Sequence, residues 1–123
     1  MSDMEDLDFR AFDPPFLGIP DEARFSGKAF CARGRFVEVF LDMEEATVRN
    51  AGFLTDIPHE GMLCASFWCE AVVGMDTHAM RAMTEADILA KFPPGFPPPR
   101  ETVRLCLKAG RLAAMNAEGN TGR

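Results

Sequence analysis

The chain has 123 residues, 47% of them hydrophobic and 26% charged, which suits one folded domain with a real core. Its 13 Lys and Arg stand against 19 Asp and Glu, a formal net charge of -6. With no Lys/Arg run, this argues against a nucleic-acid phosphate footprint and against an anionic membrane surface, and no apolar run is long enough to span a bilayer.

The acidic start, Met1 to Asp8, is not the pattern of a secretory or mitochondrial signal. The expectation is a cytoplasmic chain whose four cysteines, Cys31, Cys64, Cys69 and Cys106, are reduced. Residues 1–24 read as an acidic, irregular segment, mobile or with one loose helical turn over Met1 to Arg10. Asp13-Pro14-Pro15 and Gly18-Ile19-Pro20 break regular structure there. From Phe25 the pattern changes and a single domain over 25–116 begins. Phe36 to Leu41 sets Val37, Val39 and Leu41 around Glu38, close to strand alternation. Asp42 to Glu45 reads as a polar turn, and Thr47 to Thr55 as the returning strand. With the segment around Ala29 to Ala32 this predicts a small antiparallel meander of three strands.

The second half turns helical. Glu60 to Val73 carries Leu63, Phe67 and Ala71 at helical spacing, and Gly74 stops it. A short helix is expected within Asp76 to Met83. Thr84 starts another, with Asp87 in the capping-box place. Phe96 to Pro99 is an extended proline tract. The last helix is expected from Arg100 to Met115, followed by a flexible tail over 117–123. Strands first and helices after predict an α+β fold with the helices on one face of the sheet.

This order and spacing resemble the U-type iron–sulfur cluster assembly scaffolds, IscU and the N-terminal domain of NifU, from about Asp13 to Met115. Asp13-Pro14-Pro15-Phe16-Leu17-Gly18 looks like the family's Asn-Pro-Arg-Asn-x-Gly entry. Gly27 followed by Cys31 looks like the loop with the first cysteine ligand, and Phe53-x-Thr55 opens the segment with the second. Ser66, Glu70 and Gly74 fall on the family's Ser, Glu and Gly, and Asp87-Ile88 on an Asp-Ile pair. Phe96-Pro97-Pro98-Pro99-Arg100 looks like the tract shown to an Hsp70-type chaperone. The resemblance implies iron–sulfur cluster assembly, with a cysteine desulfurase and such a chaperone as partners.

A cluster needs thiolates, with an occasional Asp or His, converging from separate loops. Carried over by position, Cys31 is the first ligand. The Asp two residues later is replaced by Arg33 and the second Cys by Pro58. The His-Cys pair of the last helix falls on Val103-Arg104, or on Thr102-Val103 if the proline tract sets the register. A rewired mononuclear zinc or iron site would draw on Cys31, His59, Cys106 and a carboxylate such as Asp56. Against it, Cys106 lies two positions past the ligand place, on a different helix face, and a buried free Cys acts as a small apolar side chain. Cys31 itself reads either as a reactive thiol favoured by Arg33 and Arg35 or as a structural loop residue.

Cys64 and Cys69, five apart, read as core or surface thiols rather than a metal pair. His78 reads as a solvated helix residue. Three functions stay open: a carrier of a cluster or its iron, a cluster-free interaction or regulatory protein docking on a desulfurase or chaperone, and a sulfur acceptor or thiol enzyme using Cys31. Two histidines and no Ser/His/Asp arrangement point away from acid–base catalysis.

Overall fold

In the computed structural model, residues 3–121 are described. The elements are α1 (Asp3–Phe12), β1 (Phe25–Phe30), β2 (Phe36–Glu44), β3 (Thr47–Thr55), α2 (Glu60–Val72), α3 (Thr77–Arg81), α4 (Glu85–Leu89) and α5 (Arg100–Thr121). The strands form one antiparallel sheet in the order β1-β2-β3, the α+β meander followed by helices that the sequence predicts.

The register explains the core. Gly27, Val39 and Phe53 share one row across the sheet, flanked by Ala29 with Val37 and by Leu41 with Ala51. Alternation puts these residues on one face, and Val37, Val39, Leu41 and Phe53 have no exposed surface. Helices α2 and α5 lie on that face, with Trp68, Leu63, Val72, Val103 and Ala113 in the same buried cluster. Two glycines set how closely the layers approach. A Cβ at Gly27 would run into the Ala109 carbonyl and the Ala113 amide of α5, and one at Gly110 would strike the Trp68 ring. Gly27 is therefore a strand residue under α5 rather than part of the Cys31 loop.

Four further sequence expectations change. Asp42 to Glu44 belong to β2, because Arg49 on β3 holds the buried Asp42 carboxylate through two bonds of 3.0 Å. The turn is only Glu45-Ala46, both at positive φ as a two-residue hairpin loop requires. Residues 3–12 form a ten-residue helix rather than a loose turn. Asp3, Glu5 and Asp6 in its first turn complement the helix dipole, and Leu7 is buried against the core. The segment after it is not merely irregular. The Gly18 amide donates to the Phe53 carbonyl at 2.8 Å, and the Phe53 amide to Phe16 at 3.1 Å, so this segment covers the outer edge of β3. Finally, α5 runs on to Thr121 with Ala117 buried, so the expected tail is helical over 117–121, while 122–123 lie outside the described residues. The Thr84 start holds, since the Asp87 carboxylate accepts from the Thr84 amide at 2.8 Å.

Candidate functional site

The β1–β2 hairpin carries Cys31. Its loop is closed by the Cys31 amide donating to the Arg35 carbonyl (2.8 Å) and the Gly34 amide donating to Cys31 (2.9 Å). Gly34, at φ 83°, takes the left-handed place of a three-residue loop. Arg33 is exposed at the tip. Arg35 donates to the Asp56 carbonyl at 2.7 Å, and Asp56 Oδ1 accepts from the Phe36 amide at 2.9 Å. Cys31 and Asp56 thus share one end of the sheet, but that carboxylate oxygen already fastens the hairpin base.

Pro58 and His59 follow, both exposed, at the entrance to α2. His59 has φ 56° and ψ -81°, a sparsely populated conformation for a residue with a Cβ. Its carbonyl accepts from Leu63 to open α2. Its ring turns to the N-terminal helix, with Nε2 2.9 Å from Asp8 Oδ1 and Nδ1 3.7 Å from Glu60 Oε1. Both ring nitrogens therefore face carboxylates rather than Cys31.

Cys106 is fully buried. A hydrogen bond with Cys64, and then burial, raise its thiol well above the ordinary value. Burial likewise pushes Cys69 far up, against a smaller opposing pull from Arg10. Cys69 and Cys106 are neutral core thiols at physiological pH, and Cys64 is buried beside Cys106. Of the last-helix residues that the resemblance sets at ligand positions, none is a His or a Cys. Thr102 and Val103 are buried, and Arg104 Nε donates to Glu85 at 3.1 Å. Among the described residues, no three His, Cys, Asp or Glu side chains converge as a metal site. The proposed set of Cys31, His59, Asp56 and Cys106 is thus not brought together.

The proline tract is half committed to the fold. Phe96 packs against the core and Pro98 is buried, while Pro97 and Pro99 are exposed. Arg100 Nε donates to Glu85 at 3.0 Å. The hydrogen bonds from Arg100 and Arg104 hold the Glu85 carboxyl below its usual range. Pro97, Pro98, Arg100 and Leu89 line a surface recess of about 620 Å³ there.

Sequence reasoning missed the role of Arg10. Its Nε donates to Ser66 at 2.8 Å and its guanidinium lies 4.0 Å over the Phe67 ring. The signal was available: Ser66 and Glu70, four apart on one helix, make an acceptor pair with no local donor.

No family model matches the sequence, and no curated protein matches it. Among solved structures, the chain is similar to a protein of the thermophile Fervidobacterium islandicum AW-1 described as an iron–sulfur cluster assembly scaffold for the SUF system. That match has a TM-score of 0.68 at 12% identity and covers 89% of this chain and 94% of the other. A hypothetical protein matches with a TM-score of 0.59 at 17% identity over 98% and 97% of the two chains. The N-terminal domain of a nitrogen-fixing NifU-like protein from Brucella abortus matches at 0.54 and 17% identity over 97% and 94%. The chain therefore has the U-type scaffold fold.

Proposed function

We propose that this protein serves iron–sulfur cluster assembly as a docking or regulatory partner, keeping the scaffold fold without the U-type ligand set. One observation carries this reading. Of the positions where the family has ligands, only Cys31 offers a thiol. The substitutes are engaged elsewhere: His59 with Asp8 and Glu60, Asp56 with the Phe36 amide, and Cys106 with Cys64 in the core. One thiolate does not hold a cluster. The partners to expect are those of the fold family, a cysteine desulfurase or an Hsp70-type chaperone, the latter at Phe96 to Arg100. The setting is the cytoplasm.

The test is anaerobic iron and acid-labile sulfide analysis of the purified protein beside Cys31→Ala, followed by calorimetric titration with the two partners. The expected result is a folded protein without stoichiometric iron or sulfide that binds one of them. Iron and sulfide that vanish in the control would restore the carrier role, and zinc or iron without sulfide would mean a mononuclear site. Binding to neither partner would end the docking role.

A second reading rests on Cys31 alone. It is the one cysteine of the chain outside the buried core, and Arg33 and Arg35 flank it. Such a thiol suits sulfur acceptance from a desulfurase persulfide. A persulfide on Cys31 by mass spectrometry after incubation with desulfurase and cysteine supports it. An unmodified Cys31 discards it.

A further inference from the structure

A recess beside the N-terminal helix has none of the Cys31 hairpin in its lining. It is a cleft of about 620 Å³ between α1, α2 and the segment after α4, and Leu7, Arg10, Phe67, Lys91 and Phe92 are among its lining. Phe67 and Phe92 meet edge to face there, 5.0 Å between centroids. The exposed apolar side chains gather on the same side of the sequence. Of nine large exposed hydrophobic residues among those described, Met4, Phe9, Phe12, Leu17 and Ile19 fall between positions 4 and 19. Phe9 and Phe12 are 72% and 88% exposed, far more than the solvation of α1 requires. A helix that buries Leu7 on one side and presents two phenylalanines on the other has an unused apolar face.

The charges around the cleft decide what it would accept. Its two cations are committed. Arg10 is bound to Ser66 and Glu70, and Lys91 stands 3.6 Å from Glu70. The remaining Arg10 nitrogen is shut off from solvent without a partner, so it does not reach into the cleft. Three carboxylates line the same cleft, Asp3, Asp6 and Asp13, and among the described residues no Lys, Arg or His is paired with them. The cleft is thus an aromatic floor with a rim on which Asp3, Asp6 and Asp13 outnumber Arg10 and Lys91, which share Glu70.

We propose that this cleft is a docking site for a basic, amphipathic segment of a partner protein. The segment's apolar side chains would cover Phe9 and Phe92, and its Lys or Arg head groups would meet Asp3, Asp6 and Asp13. Such a cationic side chain has an apolar stem that matches the aromatic floor and a charge that matches the rim. The site is separate from the Cys31 hairpin and stands whether or not the protein acts in cluster assembly.

The experiment is an amide-resonance titration of the full chain with an amphipathic leucine–lysine peptide and with its leucine–glutamate counterpart. The lysine peptide is expected to shift α1 and residues 90–93 with an affinity that falls as salt is added. The double variant Asp6→Asn/Asp13→Asn should bind it roughly three- to tenfold more weakly, the scale of losing two exposed charge contacts. Phe9→Ser, at an exposed position that the fold does not use, should weaken it too. Equal or tighter binding of the glutamate peptide overturns the proposal. So do shifts confined to other surfaces, indifference to both variants, or no binding at millimolar lysine peptide.

Discussion

Arg10 and Ser66 lie 56 residues apart in sequence and 2.8 Å apart in space, and their bond pins the N-terminal helix to the middle of α2. Ser66 is fully buried, and its hydroxyl donates a hydrogen bond to the Leu63 carbonyl at 3.0 Å. Arg10 supplies the donor that Ser66 Oγ otherwise lacks, reaches Glu70 at 3.4 Å and covers Phe67. Arg10→Ala should therefore cost roughly 1–2 kcal/mol, the scale of a charge-assisted bond with some packing. The isolated Arg10 nitrogen that disappears with the side chain offsets part of the loss. Urea denaturation measures the cost, and hydrogen exchange should show α1 amides opening before those of the sheet. Unchanged stability and unchanged α1 protection would mean that Leu7 and the Asp8–His59 contact hold the helix without Arg10.

How far the sequence could be read follows from this contact. Strand alternation in Phe36 to Leu41 and helical spacing in Glu60 to Val73 are local signals, and both elements are where those signals place them. The helix α1 is too short to declare itself by periodicity. It depends on Leu7 and Arg10 finding α2, a tertiary contact that no local pattern reveals. The β2–β3 turn was hidden for a different reason: Glu45-Ala46 takes positive φ without the Asn-Gly signal, while Asp42 looks like a turn residue until Arg49 pairs with it. At the candidate site, the sequence shows that Arg33 and Pro58 bring neither thiol nor carboxylate, and their place at ligand positions is what the family resemblance implies. That the His59 ring turns to Asp8 was not legible, because it depends on where α1 docks.

The four thiols should separate sharply in reactivity. Cys31 is partly exposed, whereas Cys64, Cys69 and Cys106 are buried, and burial and the Cys64 bond keep Cys69 and Cys106 protonated. Iodoacetamide at neutral pH should label Cys31 alone in the folded protein, and all four in denaturant. Peptide mass mapping reads this directly. Labelling of Cys106 under native conditions would place it at the surface and reopen its candidacy as a ligand.

Glu85 gives the junction of α4, the proline tract and α5 a pH dependence. Hydrogen bonds from Arg100 and then Arg104 lower its carboxyl from the ordinary value. A carboxyl lowered in the folded state adds stability that is present above its unfolded value and lost as pH falls through the folded one. The contribution should be intact at pH 7 and disappear under acid conditions, below about pH 4. Glu85→Gln should then be less stable than the parent at pH 7, with the gap closing as the solution is acidified. Urea midpoints across pH test this, and a gap that stays constant would remove the two ion pairs from the account.

Gly27 and Gly119 make a matched pair for the packing of α5. A methyl group on Gly27 meets main-chain atoms of Ala109 and Ala113, which cannot turn aside as a flexible side chain would. Gly27→Ala must lift α5 from β1, and should cost about 1–3 kcal/mol or more, the range for overpacked cores. Near the C-terminal end of α5, Gly119 has nothing within 4 Å of its Cβ position. Gly119→Ala should be neutral or stabilising by up to about 1 kcal/mol through helix propensity. Thermal and urea unfolding of the two variants reads opposite signs if α5 seats on the sheet through Gly27. A Gly27→Ala protein as stable as its parent would show that the α5–β1 layer has slack, and with it that the spacing of the whole scaffold is not set at this glycine.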